Sequence, residues 1–294
     1  MTLFVLLSMI FTSWRSFCMT EKGKYILSEQ DVKEVQAKAS AKLEELMKTK
    51  DIIGTQVFFI LGACSKVIYY PLGENAPWGF TDIKGTNDNQ SGNVFVVLNS
   101  SVSVDCQVFA AAHELYHIWY ERKEDVITGS DLDYSDNDRT EQMASRFAAE
   151  FLVNEALLKS SIETYVEDSS NISLKDILKL SELFAVPYKT MVRRLHEIGL
   201  LSTNLQEEYL QKTEKVLNAE RKRYAISNMK ADDRIAIADH TALSVEAFEK
   251  GLITYERLEY LLQKSNLTPE DVGIIKDADY QFPSDDELDD IMGE

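Results

Sequence analysis

Between residue 28 and about residue 50 the apolar positions Val32, Val35, Ala39, Leu43 and Leu46 recur at three- and four-residue steps, with Glu, Lys and Ala filling the gaps. That spacing predicts an amphipathic helix. Over 55–101 the pattern changes to short runs rich in β-branched and aromatic residues, TQVFFIL, KVIYY and NVFVVLN, separated by Gly, Asn, Asp and Pro. These predict a small, mostly antiparallel sheet. Helix formers return after Val104: one helix is expected over about 105–122 and another over about 138–160, with the polar, Asp-rich stretch EDVITGSDLDYSDN between them. The segment 171–200 reads as two helices around a break at Val186-Pro187, with Ser173 and Asp176 as a start signal and Gly199 as a stop. A long charged helix and further short helices are expected from Thr203 to about Asp271. The order helix, sheet, helices is α+β: a small sheet packed on the 105–122 helix and on the helix after it, followed by an all-helical C-terminal part.

A length of 294 residues suggests one main core and a smaller helical unit. The boundaries expected are 19–201 for the main domain, including the helix pair at 171–200, and 202–275 for the helical module. Apolar residues at 45% and charged residues at 27% suit a globular chain. A net charge of −18 argues against binding phosphate backbones over a broad surface. Much of the acidity gathers around Pro283, from Asp277 to Glu294, so 276–294 is expected to be a disordered, solvated tail. Cys18, Cys64 and Cys106 are odd in number and lack C-x-x-C spacing, which supports neither a disulfide framework nor a thiolate metal site and points to a reducing, cytoplasmic setting. The apolar run from Leu3 to Trp14 is too short to span a bilayer and has no basic region before it. Because MTEKGKYILSEQ, from Met19, reads as an ordinary start, residues 1–18 are taken as an extension from a mis-assigned start; a membrane-associating segment is the alternative.

The chemistry centres on residues 113–117, His-Glu-Leu-Tyr-His, an H-E-x-x-H pattern inside an expected helix. Side chains four apart share a helix face, so His113 and His117 can reach one ion, and Glu114, about 100° around the helix, can flank it and act on a water. Zinc accepts neutral imidazole nitrogen and, in catalytic sites, takes three protein ligands plus an open position. Glu141 is the candidate third ligand. It begins a stripe with Ala144, Ser145, Ala148 and Leu152 on the following helix, and a buried carboxylate there needs a cation. A charge favoured at a helix N-terminus is the other reading of Glu141. Asp131, Asp133 and Asp136 are weaker rivals, and Glu150 is expected to face solvent. Tyr116 and Tyr120 are read either as core packing or as phenols near the reacting groups.

These elements together resemble the ImmA/IrrE family of metallopeptidases, whose pattern is a strand ending near Asn, an HExxH helix, and E-x-x-A-x-x-F-A on the next helix. The matching pieces are VFVVLN ending at Asn99, AAHELYH, and Glu141-Gln-Met-Ala144-Ser-Arg-Phe147-Ala148 continuing as AEFLV. The resemblance covers about 55–201. It departs at Tyr116, where the family often has Gly, and at Val153-Asn154, where it often has Met-Pro. What it implies is a gluzincin-like site with His113, His117 and Glu141 as ligands of one zinc ion and Glu114 as general base. Members are intracellular, and several cleave or inactivate helix-turn-helix repressors, including those of phages and mobile elements. The function expected is therefore a regulatory, zinc-dependent endopeptidase acting on such a repressor, with the substrate extended along the edge of the sheet at NVFVVL.

The alternative from another class is a DNA- or protein-binding regulator whose metal site is structural or vestigial. Its support is SLKDILKLSELFAVPYKTMVRRLHEIGLL, which is similar to a helix-turn-helix and sets Lys175, Lys179, Lys189, Arg193 and Arg194 against Asp176, Glu182 and Glu197. A helix pair that only packs beside the main core fits the same spacing. His196 is expected at the surface, and His240 has no evident partner.

Overall fold

The computed structural model describes residues 26–84, 93–121, 134–227, 229–237 and 239–275. The 1–18 extension, most of the Asp-rich stretch and the 276–294 tail lie outside the described residues. The chain divides into two compact units, Met1–Asp233 and Arg234–Glu294.

The first unit opens with α1, Glu29–Glu45, which begins at a capping box: Ser28 Oγ accepts from the Asp31 N–H, and the Asp31 carboxylate accepts from the Ser28 N–H at 2.9 Å. Its buried stripe is Asp31, Val35, Ala39 and Leu43, four residues apart throughout. TQVFFIL, expected as a strand, instead supplies most of α2, Val57–Cys64. Val57, Ile60 and Leu61 are buried at helical spacing while Phe59 is exposed, so packing on one face overrides the aromatic preference for strands. Ser65, with extended backbone, leads straight into β1, Lys66–Tyr70.

Two further strands follow, β2, Gly79–Lys84, and β3, Asn93–Asn99. β2 went unseen in the sequence because GFTDIK lies in a stretch punctuated by turn residues. Within this unit the order is β2-β3-β1, with β2 and β3 antiparallel and β1 and β3 parallel. The sheet is therefore mixed rather than mostly antiparallel, since β3 inserts between strands that precede it. The connection from β1 to β2 must pass the end of β3, and Asn99 holds it there. Its Oδ1 accepts from Leu72 N at 3.0 Å, and its Nδ2 donates to Gly73 O and Pro77 O at 2.8 and 3.1 Å. NVFVVLN, the expected edge, is consequently paired on both sides; β2 takes the outer position on its side of the sheet among the described residues.

Val94, Val96 and Leu98 alternate along the buried face of β3. Against the sheet lies α3, Val104–Tyr120, which also contacts α4, Tyr134–Leu152. The helix expected over 138–160 is two helices: Asn154 accepts from the N–H groups of Ala156 and Leu157 and so starts α5, Glu155–Tyr165.

The 171–200 pair forms as α6, Leu174–Phe184, and α7, Tyr188–Glu197, with a Ser173/Asp176 capping box and Ala185 left-handed at φ +52°. Its basic footprint is smaller than the composition suggests. Arg194 is 1% exposed and donates to Glu150 at 2.9 and 2.7 Å, to Val153 O at 3.2 and 3.0 Å, and to Glu197 at 2.6 Å. Glu150, expected in solvent, is buried at 7% exposure and also accepts from Arg146 and Gln36. A charge on the far side of α4 is thus covered by α7, a contact that helical periodicity cannot reveal. His196 is half-buried, its Nδ1 donating to Leu201 O at 2.8 Å.

Two short helices complete the unit, α8, Thr203–Leu210, and α9, Glu214–Arg223. Leu217 and Ile226 belong to the same core as α3 and α4, so the boundary expected after 201 falls inside this unit. The second unit contains β4, Ala236–Ile237, α10, His240–Glu249, and α11, Tyr255–Leu262, with Leu258 and Leu262 buried. His240 Nδ1 is buried there with no hydrogen-bond partner among the described residues. No described helix is long and apolar enough to cross a membrane.

Candidate metal centre

On α3 most positions are buried, whereas Phe109, His113 and His117 follow at four-residue steps as a half-exposed stripe. Small residues let α4 approach this stripe: Ala144 and Ala148 are fully buried, and Ser145 Oγ lies 3.3 Å from His113 Nδ1. That approach brings Glu141 to the histidines. Its Oε2 is 3.1 Å from His113 Nε2 and its Oε1 is 3.7 Å from His117 Nε2, while the two Nε2 atoms are 3.1 Å apart. Asp131 and Asp133 lie outside the described residues, as does the side chain of Asp136.

The donor set suits a cation. A carboxylate can only accept, so the 2.5 Å contact between His117 Nδ1 and Glu121 Oε2 places the ring proton on Nδ1 and turns the Nε2 lone pair inward. There it meets the second Nε2 and a carboxylate. Three acceptors converging on one point repel one another unless a proton or a metal ion lies between them. Two ligands about 2.05 Å from zinc at the tetrahedral angle stand roughly 3.3 Å apart, close to the separations found here. All three ligand atoms lie within 4.8 Å of one another. The side chains of His113, His117 and Glu141 keep 17%, 15% and 22% exposure, which leaves the centre open on one side.

Electrostatics agree. Burial disfavours the His117 imidazolium, but the hydrogen bond to Glu121 and the carboxylates of Glu114, Glu121 and Glu141 outweigh it and push its pKa up to about 9. Burial likewise disfavours the Glu141 carboxylate, yet the hydrogen bond and charge of His113, with the charge of His117, hold its pKa below the usual range. The two shifts favour opposite charges side by side, a protonated His117 and an ionised Glu141.

Glu114 does not join the three. It is 6% exposed and turns toward β2, where Thr81 Oγ1 donates to its Oε2 at 2.7 Å. Thr81 and Glu121 were not singled out in the sequence. Glu121 carried a usable signal, one helical turn beyond His117, whereas Thr81 lies on a strand that the pattern did not show. Tyr116 is 3% exposed and packs against Tyr120 and Phe147 at ring separations of 5.3 and 5.5 Å. Its hydroxyl faces Lys38 Nζ at 3.4 Å, so it belongs to an aromatic layer behind the histidines. Tyr120 shares that layer and donates to Lys38 O at 3.1 Å.

Residues 66–196 match a family model, Peptidase_M78, described as the IrrE N-terminal-like domain. No curated protein matches the chain.

Proposed function

Residues 66–196 belong to the ImmA/IrrE family and form its metallopeptidase-type domain, and from that premise we propose that the chain is a zinc-dependent endopeptidase acting on a protein substrate inside the cell. The observation that carries this reading is the convergence of His113 Nε2, His117 Nε2 and a Glu141 carboxylate on one point, with Glu114 next to His113 on the same helix and its carboxylate held by Thr81. His113, His117 and Glu141 are the residues that would hold the ion. A zinc ion so held supplies Lewis acidity, lowering the pKa of water toward neutrality and polarising a peptide carbonyl.

The remaining work falls to the protein. Glu114 takes the proton from the attacking water and returns it to the departing amine, so one carboxylate serves as base and then as acid. Thr81 restricts that carboxylate to one orientation, and Glu121 and Ser145 do the same for the two imidazoles. The rings of Tyr116, Tyr120 and Phe147 pack together between α3 and α4 and give the imidazole of His117 an apolar neighbour at 6.1 Å. A helix-turn-helix repressor as substrate is supported by the family resemblance. The internal use of Arg194 by Glu150 and Glu197 weighs against a DNA-reading role for α6 and α7.

The test is metal content of the native chain and of the His113→Ala and Glu141→Ala variants, followed by cleavage of candidate repressors by Glu114→Gln. About one zinc per native chain, loss of metal in both ligand variants, and a metal-loaded Glu114→Gln slowed by roughly 10²–10⁴-fold are expected. Full zinc retention without His113 would overturn the site. Unimpaired cleavage by Glu114→Gln would remove its role as base.

A further inference from the structure

β2 and α3 run side by side in the same direction, Gly79 against Ala110 and Thr81 against Glu114. Two residues of strand, about 6.7 Å, match four residues of helix, about 6 Å. The bare Gly79 permits this closeness: a Cβ there would lie 3.1 Å from Leu98 Cδ2, 3.3 Å from Val97 O and 3.4 Å from Ala110 Cβ. In the bend just before β2, Trp78 meets Phe109 of α3, with ring centroids 6.3 Å apart and planes crossing at 87°. Trp78 O accepts from Asn99 N at 2.9 Å, which anchors its backbone to the end of β3. Phe109 is one helical turn before His113 on the half-exposed stripe, and Trp78 remains 40% exposed.

We propose that Trp78 and Phe109 form a subsite of the metal centre that binds an aromatic or large aliphatic side chain of the substrate. The proposal rests on the peptidase reading and names the substrate feature it selects. β2 offers its outer edge among the described residues, so an extended peptide pairing there passes Thr81 and Glu114 and then reaches Trp78. Gly79 to Thr81 spans two strand steps, about 6.7 Å, and Trp78 stands one residue before them, which puts the selected side chain two or three residues from the scissile bond. The two rings present apolar area at right angles, and the anchored Trp78 backbone orders one wall before a ligand arrives, so little ordering cost opposes binding.

The experiment uses the full chain, zinc-loaded and carrying Glu114→Gln, titrated by calorimetry with blocked octapeptides that carry Ala, Leu, Phe or Asp at one position at a time. At one position Leu and Phe are expected to bind at least about tenfold tighter than Ala or Asp. Trp78→Ala and Phe109→Ala, each in that background, are expected to erase the preference with zinc content and melting temperature retained. Trp78→Phe should keep it. Because an Ala variant can fail by unfolding, Trp78→Lys provides a second reading: at this exposed position it should shift preference from Phe toward Asp. Absence of binding or of preference at every position, or the same preference in Trp78→Lys and Phe109→Ala, overturns the subsite. Selective binding of peptides that the native chain leaves uncut overturns the peptidase reading and leaves the subsite standing.

Discussion

His117 uses its two ring nitrogens differently, Nδ1 donating to Glu121 and Nε2 facing His113 and Glu141. The first contact fixes the tautomer on which the second depends. Glu121→Ala is therefore expected to weaken zinc binding by about 10–100-fold, read by competition with a chelating dye, while leaving the fold intact. An unchanged affinity would mean that the ring is held by its packing alone. At this scale the shared face of His113 and His117 was legible because spacing along one helix is itself the geometry, whereas the turn of Glu114 toward β2 was not. Glu141 required a second helix and was reached from its stripe of small neighbours. Thr81 was not legible, because its partner is 33 positions away and meets it through the packing of a strand on a helix.

Helices whose apolar spacing and caps agree were read well from sequence, and α1, α3, α6 and α7 lie close to their expected ranges. Asp31 shows how much one cap can carry. It receives hydrogen bonds from Ser28 Oγ at 2.7 Å and from Arg139 of α4 at 3.1 and 2.5 Å. The Ser28 bond, then the Arg139 bond, hold its carboxyl pKa at about 2 against an ordinary 3.8. Since the folded pKa is depressed, this stabilisation is complete above the ordinary value and is lost as pH falls from 3.8 toward 2. Asp31→Ala is expected to cost about 2 kcal/mol in urea unfolding at pH 7, a deficit that shrinks as pH falls through the folded pKa of about 2. A deficit independent of pH would assign the effect to packing instead. Elements whose state depends on neighbours were misread. The β-prone VFFIL became helix because α2 buries one helical face, and Glu150 turned inward because Arg194 arrives from another helix.

For the whole molecule, the consequence of the centre is linkage between metal and stability. Zinc that binds only the folded first unit, at a free concentration about a hundred times its Kd, adds about 2.7 kcal/mol. For a unit of this size that raises Tm by roughly 5–10 °C in a thermal melt, with a chelator reversing it. His113→Ala should melt at one temperature with or without zinc; a native chain indifferent to zinc would contradict the proposed centre. The sequence by itself determined the α+β class, the helix carrying His113, Glu114 and His117, and the small-residue stripe after Glu141, because these depend on spacing within one element. Only the tertiary structure decided the mixed strand order, the inward turn of Glu150, the extension of the first unit through Asp233 and the approach of Thr81 to Glu114. Those features arise from contacts between segments far apart in the chain, where burial and strand pairing outweigh any local preference.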